Sequence, residues 1–291
     1  MATATTFAPT LADTTPNWLL SVKAVSDQLK AFGWVQTADT GQINWTTVTK
    51  PTAATAVAGV EVFHPADALQ SVAPYLLLVS YGVNGTATRP AVWFRVGQAT
   101  DGASNAIGTT WGATFMVTAV AGSATINRMR FSGDTGSFRC MLWEDGANSN
   151  YYAQGVFSLC RTKNSVGDPD VTGVCMQGTL DNSNTGSLIV PFTGVPPTAN
   201  ITWLALIPGS PNASALWGTT IGVSPVYPTL GYVRNPLVEL VVHFRGDVSA
   251  GSVFSLTLYG ISRNYLSHSS PSTAGLPSVN GVSMIPAILW Q

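Results

Sequence analysis

Residues 32–48 read Phe32-Gly33-Trp34-Val35-Gln36-Thr37-Ala38-Asp39-Thr40-Gly41-Gln42-Ile43-Asn44-Trp45-Thr46-Thr47-Val48. Inside this stretch the helical period of the chain ends and strand-like patterning begins. Upstream, Trp18, Leu19, Val22, Val25, Leu29 and Phe32 recur at three- and four-residue steps, with Lys23, Asp27 and Lys30 on the opposite side. That spacing predicts one amphipathic helix. Thr15 can cap it and Pro16 is tolerated at its first position. Gly33 is its natural stop, because glycine accepts the left-handed conformation without a Cβ clash. A single amphipathic helix among strands is expected to cover the face or edge of a sheet.

Downstream the signals are those of strands and turns. Thr37 to Gly41 reads as a tight reversal, and Trp45 to Thr49 as β-prone up to Pro51. Gly59 to Phe63 alternates, and Tyr75 to Tyr81 is a continuous apolar run suited to a sheet buried on both faces. Asn84-Gly85 is a turn signal and Pro90 to Val96 returns from it. Gly97 to Asn105 reads as a structural turn. It neither links a strand to a helix, as a phosphate cradle would, nor carries the several carboxylates of a calcium loop. Residues 111–122 read as a connection, which places a soft boundary near residue 120.

The segment Gly33 to Gln42 resembles part of a module that recurs in bacteriophage virion proteins. The helix before it, Trp93-Phe94-Arg95-Val96-Gly97 and Thr100-Asp101-Gly102-Ala103 join the resemblance. The match is close over Gly33–Gln42, one of pattern over Tyr75–Gly108, and covers roughly the first 110 residues. It implies a particle protein, found in the virion and made in the host bacterial cytoplasm. It implies no catalytic residues.

Composition agrees with a covered surface. Charged residues make up 9% of the 291 residues, against roughly 25% in an ordinary soluble domain. So few charges resist association poorly. The alternative is that Ser, Thr, Asn and Gln supply the surface polarity. A net charge of −1 offers no basic excess to follow phosphates, so no direct nucleic-acid partner is expected. No apolar run approaches the ~18 residues of a membrane span, and residues 1–6 lack the basic and apolar regions of a secretory signal. Residues 1–12, rich in Ala, Thr and Pro, read as an extended arm.

The second half carries Asn127–Ser132 and Ser137–Trp143 as a hairpin around Gly133 to Gly136, then strands at Gly155–Arg161, Val174–Met176, Ser187–Phe192 and Ile201–Ile207. Residues 163–173 read as an exposed loop. Residues 208–236, with five prolines and four glycines, form a long irregular stretch of the kind that is functional or held by partners. Leu237–Phe244 and Ser252–Ile261 read as the strongest hairpin. The tail ends in an apolar run through Ile288, Leu289 and Trp290, which has to pack on its own core or on a neighbour.

Several chemistries lack their residues. No Gly-x-Ser-x-Gly elbow is present. The only glutamates are Glu61, Glu144 and Glu239, and Asp145 is the one aspartate beside any of them, which disfavours a carboxylate pair for glycoside hydrolysis. Cys140, Cys160 and Cys175 are an odd count at irregular spacing, which points to buried free thiols rather than a disulfide framework or zinc site. A Cys160–His243 pair is conceivable on paper. His64-Pro65 and Asp67 read as structural. Neither a cofactor nor a metal is called for.

The sequence therefore predicts a mainly β chain of sandwich- or jelly-roll-like sheets with one N-terminal helix, divided at 1–120 and 121–291. The expected function is a non-enzymatic structural component of a phage tail, baseplate or neck. Its partners would be other virion proteins and copies of itself. The alternatives are a capsid decoration protein, or a tail module that binds receptor or host glycan. Candidate interface residues are Trp18, Arg128, Arg130, Arg139, Tyr151, Tyr152, Ile288, Leu289 and Trp290. Trp18 also lies in the helix stripe, and the arginines could equally line a solvated strand face. Removing residues 1–12 or 284–291 is expected to leave a folded domain that docks less well.

Overall fold

The computed structural model describes residues 3–7, 15–72, 74–85, 89–118, 127–145, 155–163, 169–179, 185–189, 204–205, 223–227, 237–244, 251–258, 261–267, 278–279 and 282–290. In chain order the elements are β1 (Thr3–Phe7), α1 (Thr15–Ala31), β2 (Val35–Gln36), β3 (Val57–His64), β4 (Leu76–Asn84), β5 (Arg89–Thr100), β6 (Ala106–Thr118), β7 (Asn127–Asp134), β8 (Ser137–Asp145) and β9 (Gly155–Lys163). They continue with β10 (Pro169–Thr179), β11 (Thr185–Ile189), β12 (Leu204–Ala205), β13 (Val223–Tyr227), β14 (Leu237–Phe244), β15 (Val253–Leu258), β16 (Ile261–Ser267), β17 (Ser278–Val279) and β18 (Val282–Leu289). The fold is mainly β with one N-terminal helix, in three antiparallel sheets.

The first sheet, β2-β3-β4-β5-β6, follows chain order, as does the β7-β8-β9-β10-β11 run of the second. These are meanders of successive hairpins, without the exchange of strands between sheets that makes a jelly roll. β1 joins the second sheet beside β7, from Thr3↔Gly133 to Phe7↔Met129. Residues 3–7 of the predicted arm therefore lie on the chain's own sheet. The third sheet runs β12-β13-β14-β18-β16-β15, with β17 paired to β18.

The helix forms where its stripe predicts. Trp18, Val22, Val25, Leu29 and Phe32 are buried. At its end Gly33 has φ +88°, its N–H bonds Lys30 O at 3.0 Å and the Trp34 N–H bonds Leu29 O at 3.0 Å. This paired closure uses carbonyls the helix would otherwise leave open. β4 is buried on both faces, as its run predicts. Leu77, Val79, Tyr81 and Val83 join the main core, while Leu76 and Leu78 pack with Val62 on the other side.

That main core unites α1, the first sheet and one face of the second. Its centre is Phe138 on β8, whose ring lies 6.2 Å from Phe32, 6.5 Å from Trp34, and 6.3 Å from each of Phe94, Phe131 and Phe157. Phe94 stacks on Phe157 at 4.3 Å. These separations suit offset and edge contacts between rings. Gly133 leaves room for this cluster, since a Cβ there would meet Phe32 Cδ2 and Ser137 O at 2.6 Å. The boundary near residue 120 falls between β6 and β7, yet the core draws on residues from both sides of it.

Several expectations are corrected. Residues 111–118, read as connection, belong to β6, an edge strand fixed by β5 through two register shifts. Trp45–Thr49 forms no strand: Asn44 Oδ1 accepts the Thr46 N–H at 3.0 Å and its hydroxyl at 2.7 Å, a local bond that competes with a ladder. β10 begins at Pro169, inside the predicted loop. The predicted hairpin of 237–244 with 252–261 does not form. β14 pairs with β13 and β18, while β15 pairs with β16 about Leu258↔Ile261. The tail supplies β18, between β14 and β16, so removing 284–291 would take the centre out of the third sheet.

Phe138→Ala is expected to cost about 3–5 kcal/mol, measured by urea unfolding. It should lower the midpoint of one transition shared by α1 and the first two sheets. A loss under about 1 kcal/mol would mean that the ring cluster does not hold these elements together.

Candidate interaction surface and buried polar groups

The polar residues of Gly33–Gln42 are joints between elements. Trp34 is buried, and its indole N–H reaches Asp134 O at 3.0 Å and Ser137 O at 3.3 Å, gripping the turn between β7 and β8. β2 pairs Val35↔His64 and Gln36↔Phe63. The Gln42 amide donates to Thr37 O at 2.7 Å, and its Oε1 accepts the Val62 N–H at 2.9 Å and the Gln36 amide at 3.0 Å. Thr40 N–H reaches Gly102 O at 2.9 Å. Asp39 Oδ2 accepts Ser104 N–H at 3.0 Å, and Ser104 Oγ donates to Thr40 O at 2.8 Å. The second loop is closed by Asp101, whose Oδ1 takes the N–H groups of Ala103 and Asn105.

Burial raises the Asp39 pKa, but hydrogen bonds from Thr37, Thr100 and Ser104 together outweigh it and hold the carboxyl below its ordinary value. At Asp101, the bonds from Asn105 and Ala103 do the same.

Two buried ionic groups tie layers together. Glu61 is fully buried, with Lys30 Nζ at 2.9 Å and Trp45 Nε1 at 3.2 Å on Oε1, and Tyr81 OH at 2.9 Å on Oε2. Lys30 lies on the solvated side of α1, as expected, and its side chain is 41% exposed, yet its ammonium reaches the buried Glu61 carboxylate. Burial first, then the Glu61 charge, pushes the Tyr81 phenol well above its usual pKa. The carboxylate is satisfied by three donors and exposes no surface to a substrate. Asp67 accepts Arg161 Nε at 2.5 Å and Nη2 at 3.0 Å, and the guanidinium lies 4.7 Å from the Tyr75 ring centre. His64 takes no part: its Nδ1 donates to Pro65 O at 2.9 Å.

The predicted interface residues scatter. Trp18 is 1% exposed and its indole donates to Gly82 O at 2.8 Å, so it is a core residue and offers no contact surface. Arg139 is fully buried on β8, which overturns both the solvated face and the open contact read for it. Arg130 is partly buried and donates to Gly251 O at 3.2 Å. The backbone of Arg128 faces Glu144 in the ladder. Ile288 is buried in β18, while Leu289 and Trp290 are half-buried. Tyr151 and Tyr152 lie outside the described residues. The three arginines therefore share a hairpin without forming one exposed patch.

Cys140 and Cys160 are buried free thiols, and burial raises the Cys140 pKa. Cys160 stands on β9 and His243 on β14, in different sheets. Among the described residues no three His, Cys, Asp or Glu side chains lie together to hold a metal, and no helix is long and apolar enough to cross a membrane.

The sheet edges offer further surface. β15 is an edge strand with no charged residue and no proline in Val253–Leu258. Val253 is 48% exposed, and Ile261, which pairs with Leu258 at the turn end of the hairpin, is 55% exposed. Natural edges usually carry charge, proline or cover against pairing with another chain. The uncharged alternation was visible in the sequence. Its place at an edge was not.

Asp39→Asn is expected to lose a few tenths to about 1 kcal/mol at neutral pH. Because the folded pKa lies below 3.8, this contribution is present above about pH 5 and lost as the pH falls through the folded value. Unfolding midpoints of both proteins between pH 7 and 2.5 should converge at the acid end. Parallel curves throughout would rule out the charged hydrogen bonds as the cause. Compared with known proteins, the chain matches no family model, no curated protein and no solved structure.

Proposed function

We propose that the chain is a non-enzymatic structural component of a bacteriophage particle, placed in the tail, baseplate or neck and assembling through arms and sheet edges. The observation that carries the proposal is the Gly33–Gln42 stretch, whose resemblance to a recurrent virion module spans the first 110 or so residues. Two features support an assembling role. The chain has 9% charged residues, a composition suited to a surface covered by neighbours. β1 is held on β7 by a backbone ladder, and such a ladder can equally be made by the same strand from another copy.

The test compares the full chain with a variant lacking residues 1–7, by light scattering and negative-stain imaging. The full chain should form a discrete oligomer. The variant should keep its circular dichroism but associate at least tenfold more weakly, a loss of about 1.4 kcal/mol. A full chain that stays monomeric at every concentration, with the deletion making no difference, would sink the arm mechanism.

A further inference from the structure

On the face of the second sheet turned away from the first, Arg139 is fully buried. None of its three guanidinium nitrogens has a hydrogen-bond partner among the described residues. Its direct cross-strand neighbours are Ser132 on β7 and Ser158 on β9, both buried. Ser132 Oγ likewise has no partner. Arg130 lies on the same face, two residues before Ser132, and brings a second positive charge, anchored on Gly251 O. The diagonal neighbour Asp134 does not answer Arg139. Its Oδ1 accepts the Gly136 N–H at 3.0 Å and the Ser137 hydroxyl at 2.8 Å.

A guanidinium cannot escape burial by losing its proton. An unpaired charge inside a protein is among the costliest groups a fold can carry, and native interiors hold arginine only against an acceptor or anion. Here two adjacent side chains on one face present donors with nothing to donate to among the described residues.

We infer that Arg139 and Ser132 hold a small inorganic oxyanion of the phosphate or sulfate type within the protein. The planar fork of Arg139 offers two parallel N–H bonds to two oxygens of such an ion, and the Ser132 hydroxyl supplies a further donor. The occupant is small because Arg139 exposes no surface. A carboxylate carried by another macromolecule could reach it only by parting the sheet from its cover. The inference stands on buried geometry alone and does not depend on the role proposed above.

The probe is inorganic phosphate, titrated in the millimolar range at constant ionic strength against the full-length protein, with thermal unfolding as the readout. The unfolding temperature should rise by about 5 °C at a hundredfold excess over Kd, from the mass-action stabilisation of the bound state. Arg139→Met should unfold at or above the wild-type temperature in phosphate-free buffer, since it removes the orphan charge, and should not respond to phosphate. No rise in the wild-type protein would overturn the inference. So would an equal rise in both proteins, which is general exclusion of the salt from the surface. A large drop for Arg139→Met without phosphate would also overturn it, because Arg139 would then already have its acceptor within the chain. If Arg139→Met does not fold, Ser132→Ala decides. It keeps the charge and should shift the half-saturating phosphate concentration upward several-fold, and an unchanged half-point would overturn the site.

Discussion

The Phe138 ring sits where three structural layers meet. It touches Phe32 at the end of α1, Trp34 just beyond it, Phe94 of the first sheet, and Phe131 and Phe157 of its own sheet. Each pair is modest alone, of order 0.5–1.5 kcal/mol beyond burial. Their importance lies in convergence, because the same ring fixes the helix end, the first sheet and the middle of the second. The residues around it are constrained accordingly. Gly133 has no space for a Cβ, and Trp34 meets the Phe138 ring edge-on while its indole N–H reaches the β7–β8 turn.

Around that apolar junction, polar groups act as ties rather than as reagents. Gln42 and Asp39 lock the loop after β2, and Glu61 gathers Lys30, Trp45 and Tyr81. Asp67 and Arg161 join the loop after β3 to β9. In a chain with 9% charged residues, committing several of the few charges inward leaves still fewer for the surface. The shortage of surface charge is thus partly made by the core.

Local signals were legible where they are strong. The helix stripe, the Gly33 stop, the double-sided burial of β4 and the hairpin at Gly133 to Gly136 follow from period and turn chemistry. What the sequence could not supply is partner choice. β14 and β15 read as one hairpin because they are adjacent and alternating, but β18 takes the place between β14 and β16, and nothing local marks that. Asn44 redirects a β-prone run by accepting its backbone N–H. β6 looked like a connection because glycine, alanine and threonine hide a strand whose ladder is imposed by β5. Of the candidate surface, the uncharged β15 run could be read, and so could the burial of Trp18 from its place in the helix stripe, whereas the burial of Arg139 could not. A charged residue in a strand reads as solvated until the second face is known to be covered.

The placement of β1 reverses the order of making and docking. It is synthesised well before β7, yet its ladder cannot form until β7 exists, with α1 and the whole first sheet made in between. A segment that closes so long a loop gains its contacts late, and the loss of chain entropy is met only then. In the interval the strand is available to any matching edge nearby. Once β7 exists, the tether to α1 gives the strand a high effective concentration at its own edge. The ladder made within one chain is therefore favoured by the tether and by the order of synthesis rather than by anything local in the strand.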